Sequence, residues 1–430
     1  MKIGLEVHIA LPTKSKLFCG CSTEQTELPN SHVCPVCMGF PGSKPVLNKK
    51  ALEVCLSVAD ALKCKLAEST SFIRKTYFYP DLPKSFQISQ LDQAVGTDGR
   101  VIIKTSAGSK EIRITRVQLE EDPAKIIRGE DYTLIDFNRA GVPLAEIVTA
   151  PDISSEEELS SFINELRSIL YYQGVDINKE LKADLNISTT GDRVEIKNVT
   201  GVKNLLDAMR YEVSRQEELA RNGHEIHSET RSYDESKMET VGSREKESAE
   251  EYGFIFEPDL TVYDTSWAVL KEPVIASRIA EEYSKKYNYS EGTIYDLIKF
   301  DMKALEFIDS AKERYSMQSV VGCIELLKKY DLMSIDEASF EKVLKALDSG
   351  ISLDESKIKL LISGKNVEER HLNDEIIEDI IRKEIGDAEK FKEEYARNPK
   401  IINFIVGKVV KEYGASPGYV AEKIRKMLNL

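Results

Sequence analysis

The hydrophobic pattern divides the chain in two. Up to about residue 265 apolar positions recur mostly every second residue, the period of half-buried strands; beyond it they recur at helical spacing. The opening strand is explicit, with Leu5, Val7 and Ile9 pointing one way and Glu6 and His8 the other. Leu181, Ala183, Leu185 and Ile187 alternate with Lys182, Asp184, Asn186 and Ser188. The turn Thr190-Gly191-Asp192 then leads into Val194 and Ile196, with Glu195 and Lys197 on the polar face. A second hairpin is predicted about Ala107-Gly108-Ser109. Its return arm changes phase at Thr115-Arg116 before Glu120-Glu121-Asp122, so that a bulge or strand end re-aims these acids.

Helices punctuate the strands. Ser154 and Glu157 fit a capping box for a helix that stops at Gly174, and Leu205 to Asn222 reads as another, ending before Gly223. Past residue 273 the spacing predicts helices over 275–288, 291–313, 317–330, 336–348 and 354–363, then 373–384, 386–397, 399–413 and 416–429. The fold class is α+β: a mostly antiparallel-sheet region followed by an all-helical C-terminal half, with a boundary near Glu257-Pro258-Asp259 or Glu272-Pro273.

Composition adds constraints. With 41% hydrophobic and 31% charged residues in 430, the chain is neither a disordered acidic polymer nor an integral membrane protein. No apolar run reaches the roughly 20 residues that cross a bilayer, and the first residues lack the apolar core of a signal peptide, so a cytoplasmic protein without membrane association is expected. The net charge of −14 is uneven: in 397–430 the basic Arg397, Lys400, Lys408, Lys411, Lys423, Arg425 and Lys426 face only Glu412 and Glu422. Such a tail can contact nucleic-acid phosphates without reading sequence, or form a solvated charged face.

The candidate chemistry lies in three places. Cys19-Gly20-Cys21, twelve further residues and Cys34-Pro35-Val36-Cys37 supply four soft ligands on tight turns, which suits a structural zinc; His32 could replace one thiolate, and four reduced thiols in a loop are the alternative. Cys55, Cys64 and Cys323 are isolated and read as core. Glu6 with His8, Glu120-Glu121-Asp122, Glu146, and Asp184 with Asn186 could hold one or two Mg²⁺ ions against a triphosphate, or be solvated acids on an exposed sheet face. Glu146 shares the parity of Leu144 and Val148, which places it at a strand end or buried and paired. The third place is the proline-braced stretch Lys75 to Lys84, a rigid frame for a binding loop or plain surface packing. No G-x-x-x-x-G-K-[ST], G-x-G-x-x-G or G-x-S-x-G is present, so any ATP site is of another kind and no hydrolytic nucleophile is evident. A metal-dependent hydrolase using Glu6 and His8 is a third reading.

Five motifs occur in order: Gly4-Leu5-Glu6-Val7-His8, Tyr77-Phe78-Tyr79-Pro80-Asp81-Leu82-Pro83-Lys84 with Gln87-Ile88-Ser89-Gln90, Leu119-Glu120-Glu121-Asp122, Asp136-Phe137-Asn138-Arg139 and Glu195-Ile196-Lys197-Asn198. With them the chain closely resembles the B-subunit (GatB) family of the glutamyl/aspartyl-tRNA amidotransferases, over essentially its whole length. The resemblance implies a cradle domain with a zinc knuckle (1–272), a small helical domain (273–335) and a helical tRNA-binding tail (336–430). It implies an ATP-dependent ligase that phosphorylates the side-chain carboxylate of Glu-tRNA(Gln) or Asp-tRNA(Asn). Ammonia, released from glutamine by an amidase partner (the family's A-subunit), then amidates it within a complex that also holds a small C-subunit. The alternative is a non-catalytic scaffold delivering charged tRNA.

By the same resemblance Glu6, His8, Glu121 and Glu146 match the family's Mg²⁺ positions, with Asp184 added, and Cys19, Cys21, Cys34 and Cys37 the zinc positions. Lys75 looks like the lysine near the ammonia tunnel. Tyr79, Lys84, Arg139 and Lys197 are candidates for substrate or phosphate contacts, and Lys400, Lys408, Lys411, Lys423, Arg425 and Lys426 for tRNA. One departure stands out: Gln118-Leu119 precedes the acids where many relatives have His-Met or His-Leu, which argues against a ligand role for position 118 but not for Glu121.

Overall fold

Both periods become structure in a computed structural model of the chain, which describes residues 1–129, 131–175, 181–245, 253–268, 270, 272–349 and 351–364, with scattered positions from 378 onward. Two compact units are formed, Met1–Arg278 and Ile279–Leu430.

The first unit opens with β1 (Lys2–Ala10), α1 (Lys49–Ala61), β2 (Lys65–Leu66), β3 (Ser69–Thr70), β4 (Ile73–Thr76) and β5 (Phe86–Ser89). It continues through β6 (Gly96–Thr105), β7 (Gly108–Glu121), β8 (Lys125–Arg128), β9 (Thr133–Asp136), β10 (Pro143–Thr149) and α2 (Glu156–Tyr172). Then come β11 (Lys182–Ser188), β12 (Val194–Thr200), α3 (Val202–Arg221), β13 (Glu229–Asp234), β14 (Glu239–Glu245), β15 (Gly253–Phe256) and β16 (Tyr263–Asp264).

Nine of these strands form one sheet in the order β14-β13-β12-β11-β1-β10-β7-β6-β2, antiparallel except for the β12–β13 pair. The opening strand is thus central. Its apolar face, Ile3, Leu5 and Val7, joins a core covered by α1, α2 and α3. That leaves the opposite face, carrying Glu6 and His8, free to build a site.

The phase change at Thr115 is a bulge. Between Val148↔Arg116 and Thr149↔Ile114 the β7–β10 register skips one β7 residue, after which Val117 and Leu119 face the core and Gln118 and Glu120 the polar side. The hairpin before it closes tightly, Thr105 pairing Gly108, whose φ of +117° suits glycine alone.

Two helix expectations need correcting. The cap of α2 is Ser155, one residue later than predicted: its side chain accepts from Glu158 N, and Glu158 reaches back to Ser154 N at 2.7 Å. Ser154 Oγ is already committed to Glu158 and Lys110. In the second unit the single helix expected over 291–313 is two, α5 (Glu291–Ile298) and α6 (Lys303–Ala311), following α4 (Ala276–Tyr287). Asp301 Oδ1 accepts from Lys303 N at 2.9 Å, an Asx turn between the two helices.

α7 (Met317–Lys329), α8 (Glu337–Asp348) and α9 (Glu355–Ile362) follow as predicted, each capped by a Ser or Asp side chain. The later predicted helices lie largely outside the described residues, but Ile381, Phe391, Ile402, Ile405, Val420 and Ile424 form a core of their own. Among the described residues no helix is long and apolar enough to cross a membrane.

Candidate functional site

Register assembles the site. On β1, His8 stands opposite Glu146 of β10 and Lys182 of β11, and Glu6 opposite Asp184. Glu146 in turn faces Gln118 of β7, and Asn186 faces Glu195 of β12. Because residues two apart share a face, these pairings gather acids from five strands onto one surface without any loop.

Two groups of potential ligands result, each with its atoms within 4.8 Å of one another: His8, Glu120 and Glu146, and Glu6, Asp184 and Glu195. In the first, His8 Nε2 lies 3.2 Å from Glu120 Oε1 and 3.8 Å from Glu146 Oε2. All of these potential ligands but Glu195 line a cavity of about 770 Å³ whose wall also carries Lys75, Tyr77, Asp122, Arg139, Arg167, Lys182 and Lys197.

Burial sets the electrostatics. It disfavours a charged His8, yet the hydrogen bond to Glu120 and the charges of Glu120, Glu146 and Asp184 prevail and raise the imidazole to about 9. Burial, aided by the neighbouring Glu120 charge, pushes Glu146 up to about 7, and burial raises Asp122 to about 6. Crowded acids that share a proton with an imidazole are the donor set a divalent cation takes. Glu146 is further held by Gln118 Nε2 at 3.2 Å and Arg116 Nη2 at 3.4 Å, while Gln118 Oε1 accepts from Arg116 Nε at 3.0 Å.

The four cysteines also converge. Cys19, Cys21, Cys34 and Cys37 place their sulfurs within 4.8 Å of one another, and His32 is not of the group. A hydrogen bond from Cys19 holds the Cys37 thiol down at about 4 against its burial, helped by the Cys34 backbone and by Lys16. Lys16, fully buried, points its Nζ at Cys37 Sγ (3.7 Å) and donates to Phe137 O (3.1 Å). An interior ammonium needs an anion, and a thiolate cluster around a divalent ion supplies it.

A family model described as the GatB/GatE catalytic domain matches residues 1–271. Over 99% of its length the chain is 37% identical to the aspartyl/glutamyl-tRNA(Asn/Gln) amidotransferase B-subunit of Methanospirillum hungatei, 98% of which is covered. The proteins of the same name from Saccharolobus solfataricus (36%, all of both chains) and Carboxydothermus hydrogenoformans (37%, 99% and 98%) agree. The chain belongs to the aspartyl/glutamyl-tRNA amidotransferase B-subunit family.

For a member of this family, the sequence-predicted residues fall unevenly. Glu6, His8, Glu146 and Asp184 come together, as do the four cysteines. Glu121 does not join them. It follows the apolar phase of Val117 and Leu119, and Lys84 Nζ grips both its oxygens at 2.6 and 2.5 Å while Ile88 N donates to it at 3.0 Å. Glu120 holds the cavity position instead, and Lys84 is a structural partner of Glu121 rather than a cavity residue.

Tyr79 is likewise outside, half exposed with Arg128 as neighbour, and Tyr77 lines the cavity. Lys75 and Lys197 are in the wall, as is Arg139, whose guanidinium donates to Pro123 O and Ala124 O at 2.9 Å. In the tail, Lys423 pairs with Glu378 at 2.8 Å; Lys400, Lys408, Lys411, Arg425 and Lys426 lie outside the described residues. Sequence reasoning missed Gln118, Arg116, Lys16 and Lys182. Parity after the bulge would have flagged Gln118 with Glu120, and Lys182 stands on the polar face beside Asp184.

Proposed function

We propose that this chain activates the side-chain carboxylate of Glu or Asp on a misacylated tRNA in the 770 Å³ cavity. The observation that carries the reading is the pair of oxygen-rich ligand groups on one sheet face, ringed by cations. A carboxylate is a poor electrophile because oxide would have to leave. Its oxygen attacks the γ-phosphorus of ATP, the bond to the β-phosphate oxygen breaks, and ADP departs; ammonia then adds to the acyl carbon and phosphate leaves with the original oxygen.

His8, Glu120 and Glu146, and Glu6, Asp184 and Glu195, are the residues that would hold magnesium. Bound there, Mg²⁺ neutralises triphosphate charge while two anions approach. Arg139, Lys182 and Lys197 supply fixed positive charge to incoming phosphate or carboxylate oxygens. Lys75 in the wall suits an ammonia entrance, since an amine beside buried acids keeps that rim polar. The four cysteines would hold a structural zinc, with no open position for substrate.

The working unit of this reading is a cytoplasmic complex in which an amidase A-subunit supplies ammonia and a small C-subunit completes the assembly. In this reading 273–335 would form a small helical domain and 336–430 the tRNA-binding tail, whose last part has a core of its own from Ile381 to Ile424. The test is ADP release by the co-expressed complex with ammonium as nitrogen donor. Release that requires charged tRNA and is lost in Glu120→Gln supports the reading. Bound tRNA without such release would make the chain a delivery scaffold.

A further inference from the structure

The cysteine knuckle is fastened to the cavity wall on two sides. On the first, Asn30 and Asn138 stitch its loop to residues 135–138. Asn30 Nδ2 donates to Ile135 O (3.2 Å), Phe137 N to Asn30 Oδ1 (2.8 Å), His32 N to Asn138 Oδ1 (2.8 Å) and Asn138 Nδ2 to Leu28 O (2.8 Å). Asn30 adopts φ +55°, a conformation Asn tolerates better than most residues. The next residue along the chain from this seam is Arg139, in the cavity wall. Lys16 ties the seam to the sulfurs from below, bridging Cys37 Sγ and Phe137 O.

On the second side the backbone of Gly39, at φ +69°, rests directly on Lys84: a Cβ there would stand 2.8 Å from Lys84 Cγ. Lys84 holds Glu121, and the neighbouring residue of Glu121 is Glu120, the partner of His8. Both fastenings therefore end one residue from a cavity side chain.

We infer that the knuckle is a positioning element for the cavity: an ion on its four sulfurs fixes Arg139 through Lys16 and Asn30, and Glu120 through Lys84 and Glu121. The inference rests on reading the four cysteines as a zinc centre and the cavity as the reaction site. Lys16 and Asn30 are positioning residues, since neither lines the cavity.

The test uses the full chain, zinc-loaded and zinc-stripped, with Lys16→Met and Asn30→Gly, the latter chosen because glycine accepts the local φ. Lys16→Met is expected to weaken zinc retention on the order of 10- to 100-fold in a chelator competition and to shift the thiolate-to-metal band of the Co²⁺-loaded protein. Asn30→Gly should keep its zinc, yet speed amide exchange in 134–142 and weaken inorganic triphosphate binding about tenfold, as losing a hydrogen-bond pair does. Zinc stripping should do the same, with peptides of β1 and β11 unchanged. Wild-type exchange and triphosphate affinity in both Asn30→Gly and stripped protein, with zinc bound normally before stripping, would overturn the positioning role alone. A wild-type chain that takes up neither Zn²⁺ nor Co²⁺ would instead sink the metal reading, and the inference with it; zinc uptake without triphosphate binding would sink the reaction-site reading, leaving the exchange result to decide for or against positioning.

Discussion

Adjacent glutamates with opposite duties give the sharpest prediction. Glu120→Gln removes the charge that holds a proton on His8; Glu121→Gln removes the partner of the half-buried Lys84. In the metal-free protein His8 rises from 6.5 to about 9, and one unit is about 1.4 kcal/mol, so its protonated form contributes about 3 kcal/mol of stability at low pH. The pKa is raised, so that contribution is complete below pH 6.5 and disappears as pH climbs through 9. At a pH of about 7.5, about 2 kcal/mol remains. Glu120→Gln should bring His8 back toward its ordinary range, flatten this pH dependence and abolish Mn²⁺ binding.

Glu121→Gln should leave His8 near 9 and Mn²⁺ bound. It breaks a pair with Nζ–O distances of 2.5 and 2.6 Å; removing one partner of a fully buried pair costs about 3–5 kcal/mol, and here the cost falls at or below the lower end, because Lys84 is only half-buried and Gln can still accept from Ile88 N. The imidazole is followed by NMR titration. Stability of the first unit is followed by Trp267, the only tryptophan, which packs against that unit's core. A His8 pKa that falls in Glu121→Gln and stays high in Glu120→Gln would refute the assignment of faces.

Three further outcomes follow from packing and ligation. Gln118→Leu, which removes one of the two hydrogen bonds orienting Glu146 while leaving every candidate ligand in place, should weaken Mn²⁺ binding on the order of 10- to 100-fold by electron paramagnetic resonance. Arg74→Leu strands the fully buried Glu257, which now receives bonds of 2.8 and 2.9 Å from the guanidinium, and should cost about 3–5 kcal/mol by Trp267 fluorescence. Elemental analysis should find one zinc per chain, lost in Cys21→Ser, and chelation should raise the alkylation rate of the four knuckle thiols.

Much of the site was legible because strand parity is a strong code. Glu6 with His8, and Asp184 with Asn186, alternate against apolar neighbours, and the structure keeps each pair on the polar face. The choice between Glu120 and Glu121 went the other way because the family motif offers both in sequence, whereas one bulged residue at Thr115 decides which faces the cavity. Glu146 looked misplaced among Leu144 and Val148; in the structure Leu144 lines the same cavity, so the face is mixed rather than polar. The pairing of Lys84 with Glu121 spans 37 residues and Lys16 with Phe137 spans 121, distances over which sequence carries no register.

The topology explains why these acids come from five strands. A central strand has two neighbours, so Glu6 and His8, two residues apart on β1, find carboxylates on both sides: Asp184 from β11 and Glu146 from β10. An edge strand could offer only one. Each acid brought into such a cluster costs desolvation, which burial imposes on Glu146 and Asp122 alike. The sheet offsets that cost with backbone hydrogen bonds and a core on its other face, so the strain stays local. The raised acids and the proton held on His8 record how far the cluster lies from charge balance without a cation, and the two ligand groups, one of them including that imidazole, are where cations would restore it.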